Sequence, residues 1–386
     1  MRVHSYLNSA ENILSLYDGK MPFASWLKQF FAQHKKYGSK DRKYIAHLCY
    51  CFFRLGHSLR HHDVETRLKI GLFFCSLGPN LLLEGVNEEW NKMASATLLE
   101  KAKEVGEESF LKDVFPFQNS LSREIDSEMF AASLLVQPDL FLRIRPGNEE
   151  RVKASLLQNT ICYSISTDRC LSFPNSVGVD KVLEIDKEAV IQDLNSQKVL
   201  ESVGSFIPAD KAIKVWDCCA ASGGKSILIK DTFNAVRLSV SDVRKSILHN
   251  LQNRFLRAGI DQYHSFVADV SNPSWVHRQA YDLIICDAPC TGSGTWSRNP
   301  EQLYFFSEEK IKDYSKLQKS IAKNVSRFLK PDGYLLYITC SVFREENETV
   351  VEYLQKNTPL KLLNTNYYKG YTLKADTLFV ALFSVL

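Results

Sequence analysis

Apolar residues along positions 1 to about 120 recur at helical spacing. Ala10, Ile13, Leu14 and Tyr17 share one face, and so do Phe23, Trp26, Leu27, Phe30 and Phe31. Ser39-Lys-Asp-Arg-Lys43 opens a further helix from Tyr44 to Arg54, with Ser39 or Asp41 as its expected cap. Short helices continue from Leu68 to Glu100, broken at Gly78-Pro79. From about Ser120 the period changes. Phe141-Leu-Arg-Ile-Arg-Pro146 reads as a strand ending in a turn, and Asn148 to Leu157 as a capped helix. Ile161–Ile165 and Cys170–Phe173 read as further strands, and Gln192-Asp-Leu-Asn-Ser-Gln197 opens a helix.

Beyond residue 206 strands and helices alternate, the signature of a doubly wound α/β sheet. Ile213, Val215 and Trp216 make a strand ending at Asp217. Leu238-Ser-Val-Ser-Asp242 makes a second, followed by a helix marked by Val243, Ile247, Leu251 and Phe255 and stopped at Gly259. Phe266-Val-Ala-Asp269 is a third, and the unbroken apolar run Leu283 to Cys290 is a fourth, buried on both faces. A helix Ile311–Lys330 leads through Pro331-Asp-Gly333 to a strand Tyr334–Cys340. A helix from Glu345 and a strand pair ending in Leu378–Leu386 close the domain. Three domains are expected: a helical one over 1–120, a small α+β one over 121–205, and the α/β sheet over 206–386.

Composition narrows the class. With 45% hydrophobic and 24% charged residues the chain reads as a soluble globular protein. The apolar run Leu378–Leu386 is far shorter than the roughly 20 residues a membrane helix needs. Met1-Arg-Val-His-Ser5 lacks the apolar core of a secretory signal, so a cytoplasmic protein without membrane contact is expected. Of the ten cysteines, Cys49, Cys51, Cys75, Cys218, Cys219 and Cys286 lie in apolar runs, and no pair has zinc-ligand spacing. Thiols and no metal are the expectation, with His57, His61 and His62 as surface or capping side chains. Residues 1–60 hold ten Lys/Arg against three Asp/Glu, a balance of +7 in a chain of net +4, the footprint of a polyanion binder.

The candidate chemistry is organised around Lys214-Val-Trp-Asp-Cys-Cys-Ala-Ala-Ser-Gly-Gly-Lys-Ser226, a strand, a small-residue turn and a helix start. Ligands of open α/β sheets sit beyond the carboxyl ends of the strands, where this chain places Asp217, Asp242, Asp269 and Asp287. Asp242 lies 18 residues after Gly224, at the distance of a ribose-binding acid. Four acids suit a ligand with hydroxyls and amines and no phosphate, as in S-adenosylmethionine. The P-loop alternative fails at Cys219, where its first glycine belongs, and G-x-G-x-x-G is missing. Cys290 and Cys340 stand at strand ends, where a thiol meets substrate. A thiolate that adds to carbon 6 of a pyrimidine makes carbon 5 nucleophilic, and Asp287 is three residues from Cys290.

Asp217-Cys-Cys-Ala-Ala-Ser-Gly-Gly-Lys-Ser226, Asp287-Ala-Pro-Cys-Thr-Gly-Ser-Gly294 and Thr339-Cys-Ser-Val-Phe-Arg-Glu-Glu-Asn-Glu348 resemble the DxCAAPGGKT, DAPCSGSG and TCS…ENE motifs of the Sun (RsmB-like) family of RNA cytosine-C5 methyltransferases. The resemblance runs nearly the whole length, with Gln192–Gln197 like that family's QDxxSQ segment and the helical N-terminus like its NusB-like RNA-binding module. It implies a Rossmann-like class I methyltransferase sheet and S-adenosylmethionine held on Cys219, Ala220, Ala221, Ser222, Gly223, Gly224 and Lys225. Asp242 would then take the ribose and Asp269 would lie near the adenine, with Asp287 counted in both the cofactor and the catalytic sets. It further implies Cys340 as the thiolate that adds to carbon 6, Cys290 as the group assisting release, Asp287 on the target ring and Lys225 as an orienting cation. The implied partner is RNA, with ribosomal RNA favoured and transfer RNA the alternative, bound by a monomer. Ser222 for the usual proline, Thr377-Leu-Phe379 for Gly-Phe-Phe, and Ser297-Arg298 for two basic residues depart from the pattern. A non-catalytic RNA-binding protein of antitermination type and a P-loop nucleotidase are the alternatives.

Overall fold

Short amphipathic runs in the middle of the chain pair into a small sheet. In the computed structural model, which describes residues 3–385, β1 (Leu140–Ile144), β2 (Ser164–Thr167), β3 (Cys170–Phe173) and β4 (Ala189–Ile191) pair antiparallel in the order β2-β3-β1-β4. Its core is Leu142, Ile144, Leu171 and Phe173 against Val152 and Leu156 of the helix Glu149–Gln158. β2 begins at Ser164, three residues later than the expected Ile161, because Ile161 and Tyr163 pack against this core before the chain joins the sheet edge.

Seven longer strands form the second sheet: β5 (Ile213–Asp217), β6 (Val236–Asp242), β7 (Tyr263–Val267), β8 (Tyr281–Asp287), β9 (Leu329–Thr339), β10 (Leu360–Tyr368) and β11 (Leu378–Val385). Their order is β10-β11-β9-β8-β5-β6-β7, parallel from β9 through β7, with β11 and β10 antiparallel at the other edge. The sheet is Rossmann-like, and the order reverses between β5 and β8. Val215, Leu238, Leu283 and Leu336 face the helices Gly224–Thr232 and Lys245–Ala258 in one cluster, while the alternate residues Trp216, Ile284 and Tyr337 are buried on the opposite face.

Several boundaries differ from the sequence expectation: the helix expected over Ile311–Lys330 runs Glu309–Ser326, the one expected from Glu345 begins at Glu348, and β8 ends at Asp287, short of Cys290. β7 ends at Val267, so Asp269 lies two residues beyond the strand, in a turn where its Oδ1 accepts the Ser271 N–H (3.1 Å) and hydroxyl (2.5 Å). The helix after β6 starts at Lys245 and buries Leu248, Leu251 and Phe255, leaving Val243 outside it and exposed. Pro331-Asp-Gly333 is a bulge inside β9: Asp332 takes φ 58° and the register with β8 jumps from Tyr281↔Leu329 to Leu283↔Tyr334. Leu386, the last residue of the expected closing strand, lies outside the described residues.

The small sheet and the seven-stranded sheet belong to one compact unit. The other unit takes the chain up to Leu121 together with residues 125–137 and 295–308. In it the helices Val3–Leu16, Phe23–Gln33, Ser39–Arg54 and Val64–Cys75 bury the apolar faces read from the sequence, including Ala10, Ile13, Phe23, Leu27 and Phe30. Gly38, rather than Ser39, is the N-cap of the third helix, and Asp41 accepts the Gly38 N–H from inside the first turn (3.1 Å). Glu301 accepts the Phe23 N–H (3.2 Å), which fastens the 295–308 segment to these helices. His61 and His62 both direct Nε2 to Glu107 Oε1, at 2.9 and 2.7 Å, and His57 Nε2 meets the Leu303 carbonyl at 3.0 Å. Among the described residues no helix is long and apolar enough to cross a membrane.

Candidate active site

The turn after β5 sets the floor of the site. Ala221 (φ 45°) and Gly223 (φ 85°) lie in the left-handed region and reverse the chain onto the helix Gly224–Thr232, of which Gly223 is the N-cap. A Cβ on Gly223 would stand 2.8 Å from Phe255 Cε1 and 3.0 Å from Leu251 Cγ. The missing side chain therefore serves packing against the helix Lys245–Ala258, not a ligand's approach. Ala220 donates its N–H to the Ser241 carbonyl (2.9 Å) and Ala221 to Asp242 Oδ2 (3.2 Å), which ties the turn to the end of β6.

A cleft of about 520 Å³ opens above the carboxyl ends of β5, β6, β8 and β9. Cys219, Ala221, Asp242, Asp269, Asp287, Cys290 and Cys340 all line it. Ala220 is buried beneath, Ser222 faces Arg254 with its hydroxyl 3.1 Å from Nη1, and Gly223 and Gly224 only shape the turn. Asp217 is sealed under the turn, 1% exposed, with Oδ2 accepting the Ser226 hydroxyl at 2.6 Å. Burial raises its carboxyl to about 7, with the Asp287 charge adding to the rise and Ser226 opposing it.

Lys225 reaches from the helix start to Asp287 at the end of β8, Nζ to Oδ2 2.5 Å. Burial alone would lower the lysine, but the carboxylate's charge and hydrogen bond outweigh it and hold the ammonium above its usual range. That pairing takes up the cation a P-loop would give to phosphate. Asp242 is bound by Arg244 through Nε (3.0 Å) and Nη2 (3.1 Å). Burial would raise the Asp242 carboxyl, and the guanidinium with the backbone N–H groups of Arg244 and Ala221 brings it below its ordinary value.

The two cysteines meet at the rim. Cys290 Sγ and Cys340 Sγ are 3.2 Å apart, both half-buried. The hydrogen bond to Cys340, together with burial, pushes the Cys290 thiol well above its usual range, so it stays protonated. Their two loops are held by Glu346, which is buried and accepts the Thr291 N–H (2.9 Å), the Thr291 hydroxyl (2.5 Å), the Gln318 amide (2.9 Å) and the Ser341 hydroxyl. Asn347 adds a bond from Thr339 Oγ1 (2.6 Å) and one to the Ser341 carbonyl (2.9 Å). A Cβ on Gly294 would stand 2.0 Å from the Thr377 carbonyl oxygen, and the Thr377 N–H donates to Gly294 O at 2.9 Å.

The donor set fits S-adenosylmethionine. Three carboxylates offer acceptors for hydroxyl, amine and cation, and Val243, 60% exposed, with Val270 and Ile321 gives apolar contact for a flat ring. Sequence reasoning missed Arg244, Tyr314, Gln318 and Glu346. Only Glu346 carried a signal, as part of the Glu-Asn-Glu run.

Residues 206–381 match the model of the family described as 16S rRNA methyltransferase RsmB/F. Ribosomal RNA small subunit methyltransferase B of Salmonella arizonae is 32% identical over 174 residues, which is 44% of this chain and 38% of the relative. The probable counterpart of Coxiella burnetii is 33% identical over 165 residues, 42% of this chain and 38% of the relative. The matched stretch thus spans well under half the length of these relatives. Among solved structures, PH0851 superimposes with TM-score 0.68 at 20% identity, covering 92% of this chain and 93% of that one. NSun6 from Pyrococcus horikoshii with SFG gives TM-score 0.59 at 15% identity, covering 70% and 96%. Both share the fold. Over residues 206–381, a little under half of the chain, the protein is similar to the RsmB/F family of 16S rRNA methyltransferases.

Proposed function

We propose that this protein methylates carbon 5 of a cytosine in RNA, ribosomal RNA before transfer RNA, through a covalent bond between Cys340 and carbon 6. The observation that carries the reading is the pair of sulfurs, 3.2 Å apart on the rim of a cleft that also presents the Lys225–Asp287 pair. S-adenosylmethionine supplies the methyl group, with Asp242, Asp269, Val243 and Cys219 as the residues to hold it. A base turned out of its stack enters between the cofactor position and the cysteines. Cys340, as its thiolate, adds Sγ to carbon 6, carbon 5 takes the methyl group that S-adenosylmethionine would supply, and Asp287, held in place by Lys225, meets the ring's edge. A base then takes the carbon-5 proton, and the Sγ–C6 bond breaks to return the thiolate. The protonated Cys290 is the acid beside that leaving sulfur.

Cys340→Ala should abolish transfer from labelled S-adenosylmethionine while cofactor affinity stays within about twofold, since the thiol is one wall contact among many. Cys290→Ala should accumulate a protein–RNA adduct that survives denaturing electrophoresis. An adduct that forms in the Cys340→Ala protein and disappears in Cys290→Ala would exchange the two roles. Bisulfite sequencing of RNA from cells lacking the protein reads the target position directly.

A further inference from the structure

The helix Glu309–Ser326 has three faces. Ile311, Gln318, Ala322 and Val325 are buried, and Tyr314, Leu317 and Ile321 look into the cleft. Lys312, Lys316, Lys319 and Lys323 recur at intervals of four, three and four, which at 100° per residue puts them in one stripe on the side away from the cleft. The stripe lies in a groove of about 640 Å³, with Pro273 on one wall and Glu345 and Tyr353 on the other. Lys319 Nζ is 4.0 Å from Glu345 and 6.0 Å from the Tyr353 ring centroid. Among the described residues no carboxylate pairs with Lys312, Lys316 or Lys323. A solvated helical face of this length ordinarily alternates sign. Here four cations share a concave surface with one acid.

The two sides of this helix differ in charge. The cleft holds three carboxylates, Asp242, Asp269 and Asp287, of which Arg244 and Lys225 pair with two, while the groove is basic. A polyanion is drawn to the groove in preference to the nearly balanced cleft. A nucleic acid strand can use both by leaving its phosphates in the groove and passing an uncharged base over the helix, about 10 Å across, into the cleft. The lysines are spaced about 4.5–6 Å apart along the axis at 1.5 Å per residue, close enough for neighbouring phosphates of one strand. We propose that the Lys312–Lys316–Lys319–Lys323 groove binds the phosphate backbone of the RNA strand whose base enters the cleft. The proposal rests on the RNA methylation reading above and assigns the surface that holds the substrate.

The test compares wild type with the triple variant Lys312→Gln, Lys316→Gln, Lys323→Gln in the full chain, using a small-subunit ribosomal RNA transcript as probe. The slope of log affinity against log salt should fall by about 2, near 0.7 for each of three lost single-strand contacts. Raising salt from about 50 to about 200 mM should then weaken the wild type roughly 20-fold more than the variant. In methyl transfer the KM for RNA should rise with kcat unchanged, while calorimetric affinity for S-adenosylmethionine reports that the fold is intact. Unchanged slope and KM with intact cofactor binding overturn the groove. So does polyglutamate competing as well per charge as RNA, which would mark a site for acidic protein segments. A wild type that binds RNA with the lysine-dependent slope yet transfers no methyl group sinks the enzymatic reading and leaves the groove standing.

Discussion

Asp217 is a carboxyl with one oxygen on Ser226 and the other, Oδ1, buried without a hydrogen-bond partner among the described residues. Its folded value near 7 lies above the unfolded one near 3.8, so the native state holds a proton that the unfolded chain releases first. The protonated form's contribution is complete below about pH 4 and is lost as pH rises through 7, a change of roughly 4 kcal/mol at 1.36 kcal/mol per unit. Asp217→Asn keeps an acceptor for Ser226 and cannot ionise. Urea titrations of the two proteins should show the variant gaining on the wild type between pH 4 and 8 by that order; parallel curves would mean the acid ionises in the fold as readily as in the unfolded chain. The sequence marked Asp217 as one of four strand-end acids facing the ligand, and the structure turns it under the floor. A strand's alternation gives the sides of the sheet, but not whether the last residue points up into the crevice or beneath the next turn. Glu346 stood out only as part of the Glu-Asn-Glu run, and its role was hidden for another reason. Its partners Thr291 and Gln318 lie 55 and 28 residues away, so nothing local marks the cage they form.

Elements were legible where one physical demand dominated. β5, β6 and β8 follow from unbroken or alternating apolar runs that end in an acid, and the turn between β5 and its helix follows from the glycine pair. That turn can be tested at Gly223. Alanine there must hold φ 85° and push a methyl into Phe255 and Leu251, at 2.8 and 3.0 Å. The backbone term is about 1 kcal/mol and the overpacking about 1–3, so Gly223→Ala should cost about 2–4 kcal/mol in denaturant unfolding. An unperturbed midpoint would show that the two helices separate freely. β7 and β9 were legible in place but not in extent. Asp269 looked like a strand end because it follows Phe266-Val-Ala, yet pairing with β6 stops at Val267 and a Ser271 turn takes the acid. β4 went unread, since three residues, Ala189–Ile191, join the sheet only through β1.

At the scale of the molecule, the small sheet is joined to the seven-stranded one by arginines and acids that no pattern of apolar residues announces. Asp231, on the helix Gly224–Thr232, accepts Arg143 Nη1 at 2.6 Å and Arg145 Nη2 at 2.9 Å from β1 and the turn after it. Asp186, beside β4, receives Arg254 (2.7 Å) and Arg257 (2.7 Å) from the helix Lys245–Ala258. That helix also carries Leu251 and Phe255 under the glycine turn, so the joint bears on the floor of the cleft. Asp186→Asn isolates the charge, because Asp186 sits at φ 73°, a conformation asparagine tolerates, and the amide keeps the shape. Losing a buried, doubly hydrogen-bonded carboxylate should cost about 2–3 kcal/mol near neutral pH. Burial would raise the Asp186 carboxyl, and the two guanidinium groups more than offset it and hold it below 3.8. A depressed folded value means the carboxylate's advantage is present above about pH 4 and is lost as pH falls through the folded value. The gap between wild type and variant should therefore close in acid. Hydrogen exchange at residues 140–191, measured at pH 7 and again below pH 4 after correction for intrinsic rates, should show faster opening in the variant only at the higher pH. A gap that persists in acid would assign the joint to packing and not to the ion pairs.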